Sequence, residues 1–132
     1  MARLPEIPEE HGSIAFDDES IPLHVRRNEA MRMMLVALRE SKGRGITYAK
    51  AEAEYYTAKA LDTDRLLMEG NTATSTSDKV KGQPRTNDAL EKRIAEEVGY
   101  KNAVDAHQAY KAIAKILNDD IQREFEQAKR MT

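Results

Sequence analysis

The chain has 132 residues, of which 33% are charged and 5% aromatic, and its formal net charge is −2. This length suits one domain. The small negative charge excludes a general attraction to phosphate, so nucleic-acid binding would need a local basic face. The absence of cysteine excludes disulfides and thiolate metal sites. The absence of tryptophan leaves a core of mainly aliphatic side chains and Met, which favours elongated helical packing.

The first 21 residues predict an extended, acidic arm. This stretch contains Pro5, Pro8 and Gly12 among carboxylates. Two interpretations remain open: a disordered tail, or an arm that docks through Ile14 and Phe16 on its own helices or on a neighbouring subunit. The stretch lacks the apolar run of a signal peptide, and no segment reaches membrane-spanning length. We therefore expect a cytoplasmic protein.

Residues 22–132 are expected to form a single α-helical domain. A first helix is predicted over about 23–41, where apolar residues recur at helical spacing, and it stops at Gly43 and Gly45. A second helix is predicted over about 47–69, with Thr47 as its cap and Gly70 just past its end. Residues 70–87 are rich in Thr, Ser and Gly and predict a loop, with a short helical turn around 75–81 as an option.

A third helix is predicted over about 88–130, where proline is absent and apolar residues recur every three or four positions. Such a helix would be roughly 60 Å long, so we expect it to pack against the second helix and against another chain. Gly99 is expected to mark a bend, a break or a close helix crossing. The predicted fold class is all-α: a long antiparallel helical hairpin with an extra N-terminal helix and the extended arm.

The sequence contains no pattern typical of a catalytic or metal site. The three histidines, His11, His24 and His107, lack the His-x-x-x-His or Glu-x-x-His spacing that places metal ligands on one helix face. Adjacent carboxylates in a helix diverge by about 100°, so they do not converge on one ion or bond. The glycines at 43 and 45 lack the Lys-Ser/Thr ending of a phosphate-binding loop. We expect a protein that is not an enzyme and holds no metal or cofactor.

Two residue sets are candidates for contact with other molecules. A basic set at the central loop is a candidate for phosphate or partner contact, against the alternative of an ordinary exposed loop; it consists of Lys79, Lys81, Arg85, Lys92 and Arg93. An apolar set is a candidate interface, consisting of Met31, Met34, Leu35, Leu38, Tyr55, Tyr110, Ile113 and Leu117. The tyrosines could stack on bases, although their helical spacing among alanines is more typical of a core.

A series of short motifs between Tyr48 and Met131 resembles a known group of proteins. The motifs are Glu54-Tyr55-Tyr56, Glu69-Gly70-Asn71-x-Ala73-Thr74, Val80-Lys81-Gly82, Asn87, Ala95-Glu96, Tyr100-Lys101-Asn102-Ala103 and Asp120-Ile121-Gln122-Arg123-Glu124-Phe125. In this order they resemble small, poorly characterised bacteriophage helical-hairpin proteins encoded near phage recombination and single-strand DNA-binding genes. The resemblance implies a phage origin, a two-helix core and an accessory role in phage DNA metabolism or host interference. The resemblance assigns no catalytic residue to this chain, and it does not cover residues 1–47.

The sequence thus predicts a non-enzymatic phage accessory protein, a homo-oligomer in the cytoplasm of the host cell. It would bind a protein partner in phage DNA metabolism or in interference with host defence. Two alternatives remain open. One is a nucleic-acid-binding helical protein that uses the basic loop end. The other is a virion structural or connector component whose arm embraces a neighbouring subunit.

Overall fold

A computed structural model describes residues 16–131, which form three α-helices and no strand. Helix α1 spans Leu23–Met68, α2 spans Ala73–Val80 and α3 spans Pro84–Met131. Helix α1 packs against α3, so the predicted all-α helical hairpin is confirmed. No helix formed by residues 16–131 combines the length and the apolar character that crossing a bilayer requires.

The predicted break between the first two helices is wrong, because α1 runs without interruption through Gly43 and Gly45. The prediction relied on the low helix propensity of glycine, which costs about 1 kcal/mol per residue relative to alanine. The helix tolerates this cost at Gly43, where a Cβ atom would meet no atom within 4 Å, whereas Gly45 is in tertiary contact. A Cβ atom at Gly45 would lie 3.0 Å from the Tyr100 ring, and one at Gly99 would lie 2.6 Å from the Arg44 guanidinium. The extra N-terminal helix is therefore the first part of α1, and Gly99 lies within a continuous α3, beside the Arg44 side chain.

Most of the predicted 70–87 loop is helical. Thr72 caps α2, because its hydroxyl oxygen accepts a hydrogen bond from the Ser75 amide at 3.2 Å. Helix α3 begins at Pro84 rather than near residue 88, and proline suits this first turn because its missing N–H would have no helical partner there. Gly70 has a φ of 93° and follows the end of α1 as expected, with its amide bonded to the Leu67 carbonyl.

The described chain divides into two compact units, each built from parts of both long helices. The first contains residues 16–41 and 102–131, and the second contains residues 42–101. In the first unit, α1 contributes Ala30, Met33 and Ala37 to the core, and α3 contributes residues that recur every three or four positions: Ala106, Tyr110, Ile113 and Leu117. This alternation is the heptad spacing of coiled coils. The two alanines of α1 leave room for the larger side chains of α3.

The residues just before α1 are packed on the first unit. Phe16 is 4% exposed, and its ring meets the Tyr110 ring edge-on at 6.0 Å between centroids. The buried Arg26 donates from Nε to the Ile21 carbonyl at 2.8 Å and from Nη1 to the Phe16 carbonyl at 3.0 Å. Docking of the arm on its own helices is thus confirmed for Phe16. The Ile14 part of the prediction lies outside the described residues.

Candidate interaction surfaces

Four predicted interface residues form one apolar surface, here called the α1 stripe: Met31, Met34, Leu35 and Leu38. Their spacing of i, i+3, i+4 and i+7 places them side by side on one face of the helix. Met31 is 46% exposed and Leu35 is 52% exposed, whereas Met34 and Leu38 are half-buried. The stripe therefore borders the core and opens to solvent.

The predicted interface residues on α3 belong to the interior of the chain. Tyr110, Ile113 and Leu117 are at most 1% exposed in the core of the first unit. Their assignment to an interface is therefore wrong, because another chain cannot reach them in this fold. Their heptad spacing correctly indicates a buried face, but spacing does not say which helix covers it, and Ala30 and Ala37 of the same chain do so. Tyr55, the remaining member of the set, is half-buried in the second unit.

Arg85 from the basic set belongs to a buried polar network around Asp62. The Asp62 Oδ1 atom accepts hydrogen bonds from Arg85 Nε at 3.1 Å and Nη2 at 2.7 Å, and Oδ2 accepts one from the Thr86 hydroxyl at 2.6 Å. Asp62 itself is 2% exposed. The Thr86 hydroxyl and the Arg85 guanidinium stabilise the ionised form and lower the pKa of this carboxyl. The network joins the C-terminal part of α1 to the first turn of α3.

Sequence reasoning missed the role of Asp62, although a signal was present. Asp62 lies four residues after Ala58 and four before Leu66, and both neighbours are buried. A carboxylate at such a position on the buried face of a helix requires hydrogen-bond partners, because an unpaired buried charge is costly. The sequence does not identify those partners, since they lie more than twenty residues further along the chain.

Arg93, also from the basic set, lies over two tyrosine rings of α1. Its guanidinium carbon is 5.1 Å from the Tyr55 centroid and 5.6 Å from the Tyr56 centroid, and its Nε is 4.0 Å from Glu52 Oε2. The Tyr48 hydroxyl belongs to the same cluster. It is hydrogen-bonded to Glu52, and this bond raises the pKa of the hydroxyl. Exposed cation–π contacts contribute about 0.5–1 kcal/mol each. This arrangement therefore ties the two helices together in the second unit.

The other three members of the basic set differ in their surroundings. Lys92 Nζ lies 2.9 Å from Glu54 Oε2, in an exposed ion pair. Lys79 Nζ donates to the side-chain oxygen of Asn71, a neutral acceptor, at 2.7 Å. Lys81 is exposed. Three of the five predicted cations, those at 85, 92 and 93, thus lie beside carboxylates of α1 in the second unit.

A shallow apolar cleft of about 250 Å³ lies between α1 and α2. Thr63 and Leu67 line it from α1, and Thr76 and Val80 line it from α2. Thr76 is 2% exposed, and its hydroxyl has no hydrogen-bond partner among the described residues. The cleft lies at the C-terminal end of α1, on the side that faces α2.

In the range 16–131, no three His, Asp or Glu side chains converge as ligands for a metal ion. Comparison of the chain with known protein families, with curated proteins and with solved structures finds no match. The resemblance to phage helical-hairpin proteins therefore stays a prediction.

Proposed function

We propose that the chain is a non-enzymatic phage accessory protein that binds a protein partner through the α1 stripe. The observation that carries this proposal is the grouping of Met31, Met34, Leu35 and Leu38 on one face, with two of them about half exposed. Methionine side chains adapt to irregular apolar partners. A role in phage DNA metabolism or in interference with host defence comes from the sequence resemblance.

A charge beside the stripe defines the partner further. Arg39 lies four residues after Leu35, so it is a neighbour of the stripe on the helix surface. Its side chain is exposed. A complementary partner would offer an apolar groove with an acidic rim, as in helix-in-groove recognition.

The ion pairs in the second unit favour this proposal over direct nucleic-acid binding. Arg85 and Lys92 are 2.7 Å and 2.9 Å from carboxylate oxygens, and Arg93 is 4.0 Å from one. A phosphate backbone would have to compete with these carboxylates for the cations. Lys79 and Lys81 alone would release few counterions, and the resulting affinity would be low.

Affinity purification with quantitative mass spectrometry tests the protein-partner proposal. The tagged full-length chain would be expressed in infected or lysogenic bacteria, together with the variant Met31→Glu/Leu35→Glu. Since Glu side chains remove apolar contact and oppose an acidic rim, we expect the enrichment of the partner to fall at least about tenfold. Circular dichroism would verify that the variant keeps its helices.

A matched control is Val36→Glu, because Val36 is 40% exposed and lies on a different side of the same helix segment. The control should retain the partner. Equal enrichment of the same proteins by all three chains would refute the assignment of the α1 stripe as a docking surface. The absence of any enriched protein with the wild-type chain would refute the proposal as a whole.

A further inference from the structure

A second apolar surface lies on the part of α1 that belongs to the second unit. It is here called the outer face of α1 and consists of Ile46, Ala49, Ala53, Tyr56, Ala60 and Thr63. These positions alternate in steps of three and four, and Leu67 continues the series. Such a series over three heptads is the pattern of a helix that packs along a second helix.

The outer face is separate from the contacts that α1 makes with α3. In this unit α1 buries Ala51, Ala58 and Asp62, which lie about 150° around the helix from the outer face. Ile46 is 61% exposed, Tyr56 is 53% exposed, and the alanines between them are exposed as well. One side of α1 therefore packs within the chain, whereas the other carries a heptad pattern that is exposed from Ile46 to Ala60 and half-buried beside α2 at Thr63.

We propose that two copies of the chain pair through the outer face of α1 as an antiparallel coiled coil. The two-fold axis would pass near Tyr56. The central part of the face then consists mostly of alanines, which allow close approach of the two helices. Ile46 of one copy lies toward Thr63 and Leu67 of the other, beside the apolar cleft between α1 and α2. Ile46 thus meets a small side chain or a recess, as close packing requires, and the two Tyr56 rings lie next to each other at the axis.

The charges that flank the outer face favour pairing with a second copy, and they favour the antiparallel over the parallel arrangement. With the axis near Tyr56, Lys50 approaches Asp64 of the other copy on one flank. On the opposite flank Lys59 approaches Glu52 of the other copy, whose carboxylate also lies 4.0 Å from Arg93 of its own chain. Symmetry repeats both pairs, which gives four attractive contacts. Lys50, Lys59 and Asp64 are exposed, and Glu52 has a side chain that is 40% exposed. In a parallel pair only Lys59 and Asp64 would approach each other, since flanking contacts there join positions five residues apart.

Light scattering after size-exclusion chromatography, with the full chain at micromolar concentration, tests the pairing. We expect twice the chain mass of 14.9 kDa. Ala53→Glu brings two like charges together near the axis and should weaken dimerisation roughly 100-fold or more. Ala95→Glu makes the same change at an exposed position of α3 and should leave the dimer intact. A monomeric wild-type chain, a dimer that survives Ala53→Glu, or equal loss in both variants would overturn the proposal.

Carbodiimide cross-linking tests the direction of the pair. Lys50 and Asp64 are fourteen residues apart in one helix, or roughly 21 Å, so a zero-length cross-link between them forms only between two copies. We expect this cross-link in the wild-type dimer. We also expect Lys50→Glu to weaken the dimer roughly tenfold, and the double variant Lys50→Glu/Asp64→Lys to restore it. A dimer without the cross-link, or without rescue by the double variant, would overturn the antiparallel arrangement.

This inference is independent of the proposed partner site. The outer face and the α1 stripe share no residue, and Ala53→Glu leaves the stripe unchanged. A chain that loses its dimer but retains its partner would therefore support the pairing through the outer face without bearing on the α1 stripe.

Discussion

Gly43 and Gly45 lie two residues apart in α1, so they point to opposite sides of the helix. A Cβ atom at Gly45 would lie 3.0 Å from the Tyr100 ring, whereas one at Gly43 would meet no atom within 4 Å. The same residue type therefore has two different roles. Gly45 allows a tyrosine ring to pack against the helix backbone, whereas Gly43 lowers helix propensity without an equivalent contact.

This difference predicts opposite responses to the same substitution. Gly43→Ala should raise the free energy of unfolding by about 0.5–1 kcal/mol, because alanine loses less backbone entropy in a helix. Gly45→Ala gains the same propensity but displaces the Tyr100 ring, so its stability should lie below that of Gly43→Ala. Urea unfolding followed by circular dichroism measures both values. Equal stabilisation by the two substitutions would show that the contact with Tyr100 is not tight.

At the scale of elements, the segment from Phe16 to Pro22 depends on α1 for its position. The Arg26 guanidinium binds two carbonyl groups of this segment, and the Phe16 ring fills a place against Tyr110. Arginine suits this role because its planar group presents several donors in a fixed geometry. The carboxylates of Asp17 and Glu19 are exposed. Backbone carbonyls rather than acidic side chains thus provide the acceptors that Arg26 binds in this segment.

Phe16→Ala should therefore destabilise the folded protein by about 3 kcal/mol, the usual cost of removing a buried phenylalanine side chain. Val25→Ala is the matched control, because Val25 is 41% exposed and its truncation removes little buried surface. Thermal or urea unfolding gives both changes in stability. If the two substitutions had similar small effects, the packing of the segment against Tyr110 would contribute little to stability.

The elements also show which features the sequence can predict. Apolar spacing correctly predicts helices in both halves of the hairpin, and the Gly70 signal correctly predicts the end of α1 within two residues. The continuity through residues 42–46 could not be predicted, because the contact of Gly45 with the Tyr100 ring joins residues that are far apart in the sequence. The sequence left helix α2 undecided, since a short segment rich in Thr and Ser has low helix propensity.

At the scale of the whole molecule, the net charge of −2 conceals the pairing of individual charges. The sequence indicates a concentration of cations near the central loop but does not show that carboxylates of α1 lie beside three of them. Composition likewise predicts an aliphatic core but does not indicate how much of each apolar face the chain itself covers. The candidate surfaces follow from burial, which depends on the partner of each helix and not on its own periodicity.

The response of global stability to pH should reveal the contribution of Asp62. Its pKa is lowered in the folded state, whereas an unfolded aspartate titrates near 3.9. Above that value the carboxylate is ionised in both states, and its bonds to Thr86 and Arg85 stabilise the fold fully. As the pH falls below about 3.9, the unfolded state takes up the proton first, and the stabilisation is lost by the time the folded carboxyl is protonated.

Asp62→Asn should thus lower the free energy of unfolding by about 2 kcal/mol near neutral pH. The difference in stability between this variant and wild type should shrink below about pH 4. Urea unfolding from pH 7 to pH 3 measures this difference, with Asp105→Asn at an exposed site of α3 as the control. A gap that stays constant down to pH 3 would contradict a role for the ionised carboxylate.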